Sequence, residues 1–142
     1  IENMRLPSGR APRLDMYGHN PFSNRAPNLA NPPSRENIID FSDLARLTRL
    51  VERNLGTPHN PRPKLFISEW TVPTKYDQEF NFWVDPPVQA QWITAGLEIG
   101  RWLSSIYAVG WIHLYDEPPL SYGGLLEVDG AKKPGYLAWK DG

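Results

Sequence analysis

The stretch "KLFISEWTVPT", residues 64–74, runs through apolar and β-branched residues and then stops on a carboxylate, Glu69, followed at once by Trp70. A carboxylate fixed at the end of a strand can attack an electrophilic carbon, accept a proton, or pair with a cation. In α/β proteins ligands gather at the carboxyl ends of the strands, so Glu69 stands where chemistry is done. The same position also suits a Glu that pairs with an arginine or caps a helix, and placement alone leaves both readings open. If the side chain points inward, two-residue alternation puts Leu65 and Ile67 on its face as a packed floor. The same alternation puts Trp111 and His113 of "VGWIHLYDEPP" on one face of a later strand. Four aromatics, Tyr76, Phe80, Phe82 and Trp83, crowd the loop after Glu69 and form either the wall of a cleft or a loop that buries its own side chains. Three widely separated His and no Cys argue against a catalytic zinc site, and His59, between Pro58 and Asn60, reads as solvated.

These residues need elements to hold them. "PRLDMYGHNPF" (12–22) reads as a brief strand that breaks at Gly18 and Pro21, and 23–37, rich in Asn, Pro and Ser, as a long surface loop. Phe41, Leu44, Leu47, Val51 and Leu55 recur at helical spacing, with Asp40 as N-cap and Gly56 as C-cap. "KLFISEW" is the next strand. A polar and aromatic loop then leads to Pro86 and Pro87, which suit a helix's first turn. That second helix runs to about Leu103, with Val88, Trp92, Ala95, Ile99 and Trp102 as its buried stripe. "IYAVGWIHLYD" (106–116) reads as a strand covered on both faces. Beyond the Pro118-Pro119 stop, "LLEVDGAKKP" reads as a small hairpin turning at Asp129-Gly130, and "KKPGYLAWKDG" as a short last helix.

Strand and helix thus alternate three times, which argues for an α/β protein with parallel strands. An open three-stranded parallel sheet leaves two apolar edges unprotected, so further strands are expected elsewhere and the chain reads as part of something longer.

Composition narrows the class. A chain of 142 residues with 12% aromatics, six Trp, 15 Pro and 11 Gly is a loop-rich globular domain, long enough for a real core. Fifteen Lys and Arg against sixteen Asp and Glu give a net charge of -1, which offers nothing to nucleic acid or an acidic membrane surface. No apolar run approaches the roughly 18 residues of a membrane span. The lack of Cys leaves the compartment open, since large secreted enzymes often do without disulfides.

Taken together, four stretches in order resemble the C-terminal part of the TIM-barrel retaining glycoside hydrolases of clan A, which include cellulases, mannanases and β-xylosidases. "LFISEW" looks like the end of strand seven. "LDMYGHNPF", with Asp15 and His19, resembles strand six, "VGWIHLYDEPP" strand eight, and "GGLLEVDGAKKPGYLAWK" the family's closing segment. The resemblance spans nearly all of residues 1–142 and implies units six to eight of a (β/α)8 barrel, a β-linked oligo- or polysaccharide substrate and no cofactor. It makes Glu69 the nucleophile. It also implies substrate contacts from His19, Trp70, Tyr76, Trp83, Trp111 and His113, with His19 as a donor beside Glu69. His113 stands where the family more often has Trp, which makes Trp111 the alternative stacking platform. Phe22 falls near a position where some relatives use a Tyr hydroxyl that Phe lacks. Trp92 and Trp102 read as core.

A retaining glycosidase needs a second carboxyl group about 5–5.5 Å from the first. In the resembled enzymes that Glu follows an Asn at the end of strand four. Here Glu36 and Asn37 occur in the reverse order and in a loop, so the acid/base residue is expected outside the chain, on the remaining N-terminal part of the barrel. Residues 1–142 alone are then expected to be inactive. Two other readings share the fold: a barrel that only binds carbohydrate, and a TIM-barrel enzyme that uses Glu69 as a base.

Overall fold

The computed structural model describes residues 1, 3–23, 25, 26, 28, 30 and 38–142. Most of the loop expected over 23–37, with Glu36 and Asn37, lies outside the described residues. The elements follow in the order β1 (Met16–His19), α1 (Leu44–Leu55), β2 (Lys64–Trp70), α2 (Pro86–Trp102), β3 (Ile106–Trp111) and α3 (Pro134–Asp141). Among the described residues the strands form one parallel sheet, β1-β2-β3, with β2 in the middle. Gly18 lies within β1 instead of ending it.

The core sits on one face of this sheet. Phe41, Leu44, Leu47, Val51 and Leu55 are all buried and pack against Leu65, Ile67, Trp70 and Ile106. Asp40 caps the segment as expected, accepting from Ser42 N at 2.9 Å, but the turn it caps is a single 3-10 turn, Phe41–Asp43, that leads into α1. At the other end the Gly56 N–H bonds Glu52 O at 3.1 Å. Glycine is required there by crowding, because a Cβ would lie 2.5 Å from Glu52 O and 2.6 Å from Pro61 O.

α2 does not present the stripe expected of it. Its buried residues are Gln89, Ile93 and Gly96. Trp92 is half-buried at the margin of the core, and Trp102 is 85% exposed, so the core reading of Trp102 is overturned. The cause is close approach: a Cβ on Gly96 would meet Trp70 Cζ3 at 2.4 Å, and one on Gly100 would meet Val109 Cγ2 at 3.0 Å. The helix sets Gly96 and Gly100 against the sheet so that Trp70 fits beneath it, and Trp102 is left on the outside.

The other face of the sheet carries Gly18, Phe66 and Ala108 side by side. Among the described residues nothing covers it, and Phe66 is 40% exposed. The expectation that β3 is covered on both faces therefore does not hold for these residues. β3 also ends at Trp111 and not at Asp116; the chain then leaves the ladder through His113, whose φ is 63°. The expected hairpin survives as one antiparallel bridge, Leu126 with Lys132, closed by Glu127 N to Ala131 O at 2.8 Å, with φ of 87° at Gly130. α3 packs closely on α2, where a Cβ on Gly135 would meet Gln89 Oε1 at 2.8 Å.

Candidate functional site

Glu69 reaches its place through an irregularity in β2. Ile67 lies opposite Val109 and Trp70 opposite Trp111, so three steps along β2 match two along β3. The surplus residue makes a β-bulge in which Ser68 and Glu69 together face Gly110, and bulges of this kind re-aim side chains. Gly110 permits it, since a Cβ there would lie 2.5 Å from Ser68 O. Leu65, Ile67 and Trp70 all pack into the helical layer. Strict alternation would have sent Glu69 there too, so the expected floor of Leu65 and Ile67 beneath it is corrected. Instead Ser68 and Glu69 meet the same partner: Asn20 Nδ2 donates to Glu69 Oε2 at 3.1 Å, and Ser68 Oγ donates to Asn20 Oδ1 at 2.7 Å. Among the described residues Glu69 has no ion-pair partner within 4.0 Å.

The neighbour that sequence reasoning assigned to Glu69 was His19. His19 is the register partner of Ile67, so its side chain shares the helix-side face, and its Nε2 donates to Ile39 O at 3.0 Å. That removes it from Glu69. Asn20, one residue later and just past the end of β1, takes the position instead. Gly110 was the available signal for the bulge, because a glycine inside an apolar, aromatic strand marks a close backbone approach.

The aromatic candidates divide by layer. Trp70 is 1% exposed and stacked on Phe41 with ring centroids 3.9 Å apart, so it is a core residue and its expected contact with a ligand is corrected. Trp111, its register partner, meets Trp70 edge-on at 5.1 Å and donates Nε1 to Gly123 O at 3.0 Å. It is wedged between strand and helix, not set as a platform on the face that Glu69 serves. His113 lines a pocket of about 360 Å³ with Trp111, Leu125, Tyr136 and Trp139, and its Nε2 faces Glu79 Oε2 at 3.2 Å. Tyr76 and Trp83 stand exposed on the loop after β2. Phe80 bridges to Phe22 at 5.6 Å and to Phe82 at 5.9 Å, a ridge joining the loops that follow β1 and β2.

These loops rest on a buried ion pair. Lys133 Nζ donates to Asp116 Oδ1 at 2.6 Å, to Thr74 Oγ1 at 2.9 Å and to Tyr122 O at 3.2 Å, while Gly124 N donates to the same Asp116 oxygen at 2.9 Å. Lys133, just before Pro134 at the start of α3, and the segment after β3 thus fasten the base of the loop that follows Glu69. Nearer the surface, Lys75 bonds Glu127 at 3.1 Å, and that carboxylate holds the ammonium above its ordinary pKa of 10.5 against the opposing effect of burial. Among the described residues no three His, Asp or Glu side chains converge as metal ligands would, and no helix is long and apolar enough to cross a membrane.

The arrangement is a half-exposed carboxylate on the middle strand of a parallel sheet, oriented by an amide and set below loops rich in aromatics. No family model matches the chain, and no curated protein matches it.

Proposed function

We propose that residues 1–142 are the last three strand–helix units of a (β/α)8 glycoside hydrolase that cleaves β-linked sugars with retention, and that Glu69 is its nucleophile. The observation that carries this reading is the bulge opposite Gly110, which turns the carboxylate out of the helical layer and onto Asn20. A Glu that served only packing or capping needs no such device. A glycosidase nucleophile must have a free oxygen at the barrel mouth, and only one of the Glu69 oxygens is bonded to Asn20.

In this reading a Glu69 oxygen attacks the anomeric carbon as the glycosidic C–O bond breaks, forming a glycosyl ester, and a second carboxyl group gives its proton to the leaving oxygen. Water activated by that second group then hydrolyses the ester and returns the proton. The second carboxyl group is assigned to the remaining part of the barrel. Additional strands would pair the free edges of β1 and β3 and close over Phe66 and Ala108, as barrels do.

The test is trapping. Full-length protein treated with 2-deoxy-2-fluoro glycosides is expected to gain the mass of one sugar on the peptide that contains Glu69, with loss of turnover. A label on another carboxylate in an active enzyme overturns the assignment. Carbohydrate binding with neither turnover nor label would instead identify a barrel that only binds. Turnover of a non-glycosidic substrate that requires Glu69 would identify it as a base. Residues 1–142 alone are expected to show no turnover.

A further inference from the structure

We propose that Ser68 is a positioning residue for Glu69 and acts on it through the Asn20 amide, so that the bulge in β2 supplies both the carboxylate and the hydroxyl that holds its partner. The role in turnover rests on the reading of Glu69 above; the contact does not.

In a regular strand successive side chains point to opposite faces, and one amide cannot reach both Ser68 and Glu69. The bulge opposite Gly110 sets them side by side. Asn20 then spans the two, with Nδ2 donating to Glu69 Oε2 at 3.1 Å and Oδ1 accepting from Ser68 Oγ at 2.7 Å. β1 and β2 are paired neighbours, Gly18 with Phe66 and His19 with Ile67, so no further strand of a barrel can come between these groups. The chain on either side of Asn20 is also fixed: His19 Nε2 donates to Ile39 O at 3.0 Å, and Phe22 N donates to Asn20 O at 2.9 Å.

The chemistry of the groups fixes the direction of the relay. An ionised carboxylate only accepts, so the amide must turn Nδ2 to Glu69. The amide oxygen is left facing Ser68; it also only accepts, and the hydroxyl supplies a proton that an alanine or valine there would lack. That donation polarises the amide and strengthens its N–H donation to Glu69. A neutral amide, unlike a Lys or Arg, orients one oxygen of the carboxylate without pairing off its charge, which leaves the other oxygen able to attack. Without the Ser68 hydroxyl the amide keeps one of these two anchors, turns about its side-chain bonds, and no longer holds the carboxylate in one place.

A double-mutant cycle in the full-length protein tests the relay. Asn20→Ala is expected to lower kcat about 10–100-fold and Ser68→Ala about 3–10-fold, with KM little changed, while the double variant is no slower than Asn20→Ala alone. Ser68→Thr, which keeps the hydroxyl, is expected to recover most of what Ser68→Ala loses. Fluoro-sugar labelling of Glu69 is expected to slow by the same factors. Single effects that multiply in the double variant, or a Ser68→Ala enzyme as fast as wild type, overturn the proposal and leave the reading of Glu69 intact. The contact is read separately, from the side-chain amide of Asn20 in a proton–nitrogen NMR correlation spectrum, assigned by its loss in Asn20→Ala. Its resonance is expected to move in both Ser68→Ala and Glu69→Gln. A label on another carboxylate, or on none, overturns the nucleophile assignment; a resonance that moves in both variants then keeps the relay. A resonance unmoved in either variant removes the relay, whichever residue is labelled.

Discussion

Gly110→Ala is the sharpest test of the link between strand geometry and chemistry. A Cβ at this position would lie 2.5 Å from Ser68 O, a backbone atom that no rotamer change can move aside. The strands must separate locally, an overpacking cost of about 1–3 kcal/mol, offset by about 0.4–1 kcal/mol from the stiffer unfolded chain. The net loss is about 1–2 kcal/mol, or roughly 2–8 °C in Tm for a domain of about 150–250 residues. The displaced backbone belongs to the two residues that hold Asn20, so Glu69 moves with it, and under the proposed role of Glu69 as nucleophile a shift near 1 Å is worth about 100-fold in rate. Gly130→Ala is the control. It forces an alanine to φ near 87° with nothing within 4 Å, a strain of about 1–2 kcal/mol in the turn before α3. Measured by thermal melts and by kcat/KM of the full-length protein, the two variants are expected to lose similar stability while only Gly110→Ala loses activity. Equal activity in both, or equal loss in both, refutes the claim that the bulge aims Glu69.

Two other outcomes follow from burial. Lys133→Met leaves Asp116 charged and buried without its cation, and is expected to cost about 3–5 kcal/mol in urea unfolding. Adding Asp116→Leu is expected to recover most of it; a single variant as stable as wild type would show that the pair does not hold the loops. Trp70→Ala is expected to cost about 3–5 kcal/mol, whereas Trp102→Ala, at an 85% exposed position, should stay within about 0.5 kcal/mol of wild type. Comparable losses from both would contradict the orientation of α2.

Periodicity made α1 legible because its four buried apolar positions, with Phe41 in the turn before it, all face one sheet, and the strand at 64–70 because a short apolar and aromatic run has few alternatives. It failed for α2, where the face that packs closest is the one with the least side chain. Gln89 and Gly96 do not register as core in a hydrophobic pattern, yet the Gln89 amide is fully buried and donates to Val72 O at 2.8 Å. The site was half legible. Glu69 stood out by type and place, but alternation misplaced its face, because a bulge shifts the parity of every later residue on the strand. The resemblance sent His19 toward Glu69 when it faces Ile39, and left Asn20 unremarked. Lys133 and Asp116 lie 17 residues apart on segments without a period, so only the folded chain brings them together.

The bulge itself has a cause in the packing above it. Burying a Trp removes about 150–250 Å² from water, worth about 4–6 kcal/mol at roughly 25 cal/mol per Å². Trp70 gains that by dropping between Phe41 and Gly96, where only a glycine leaves room. With Ile67 already committed to the same layer, Trp70 can join it only if the strand takes three steps instead of two. The extra residue costs a ladder hydrogen bond, about 1 kcal/mol. Burial wins by several kcal/mol, and the displaced parity puts Glu69 beside Ser68 on the face that meets Asn20. The carboxylate is thus aimed by the aromatic that follows it: the Glu-Trp order in "SEW" is one device, in which the second residue anchors and the first is thereby presented.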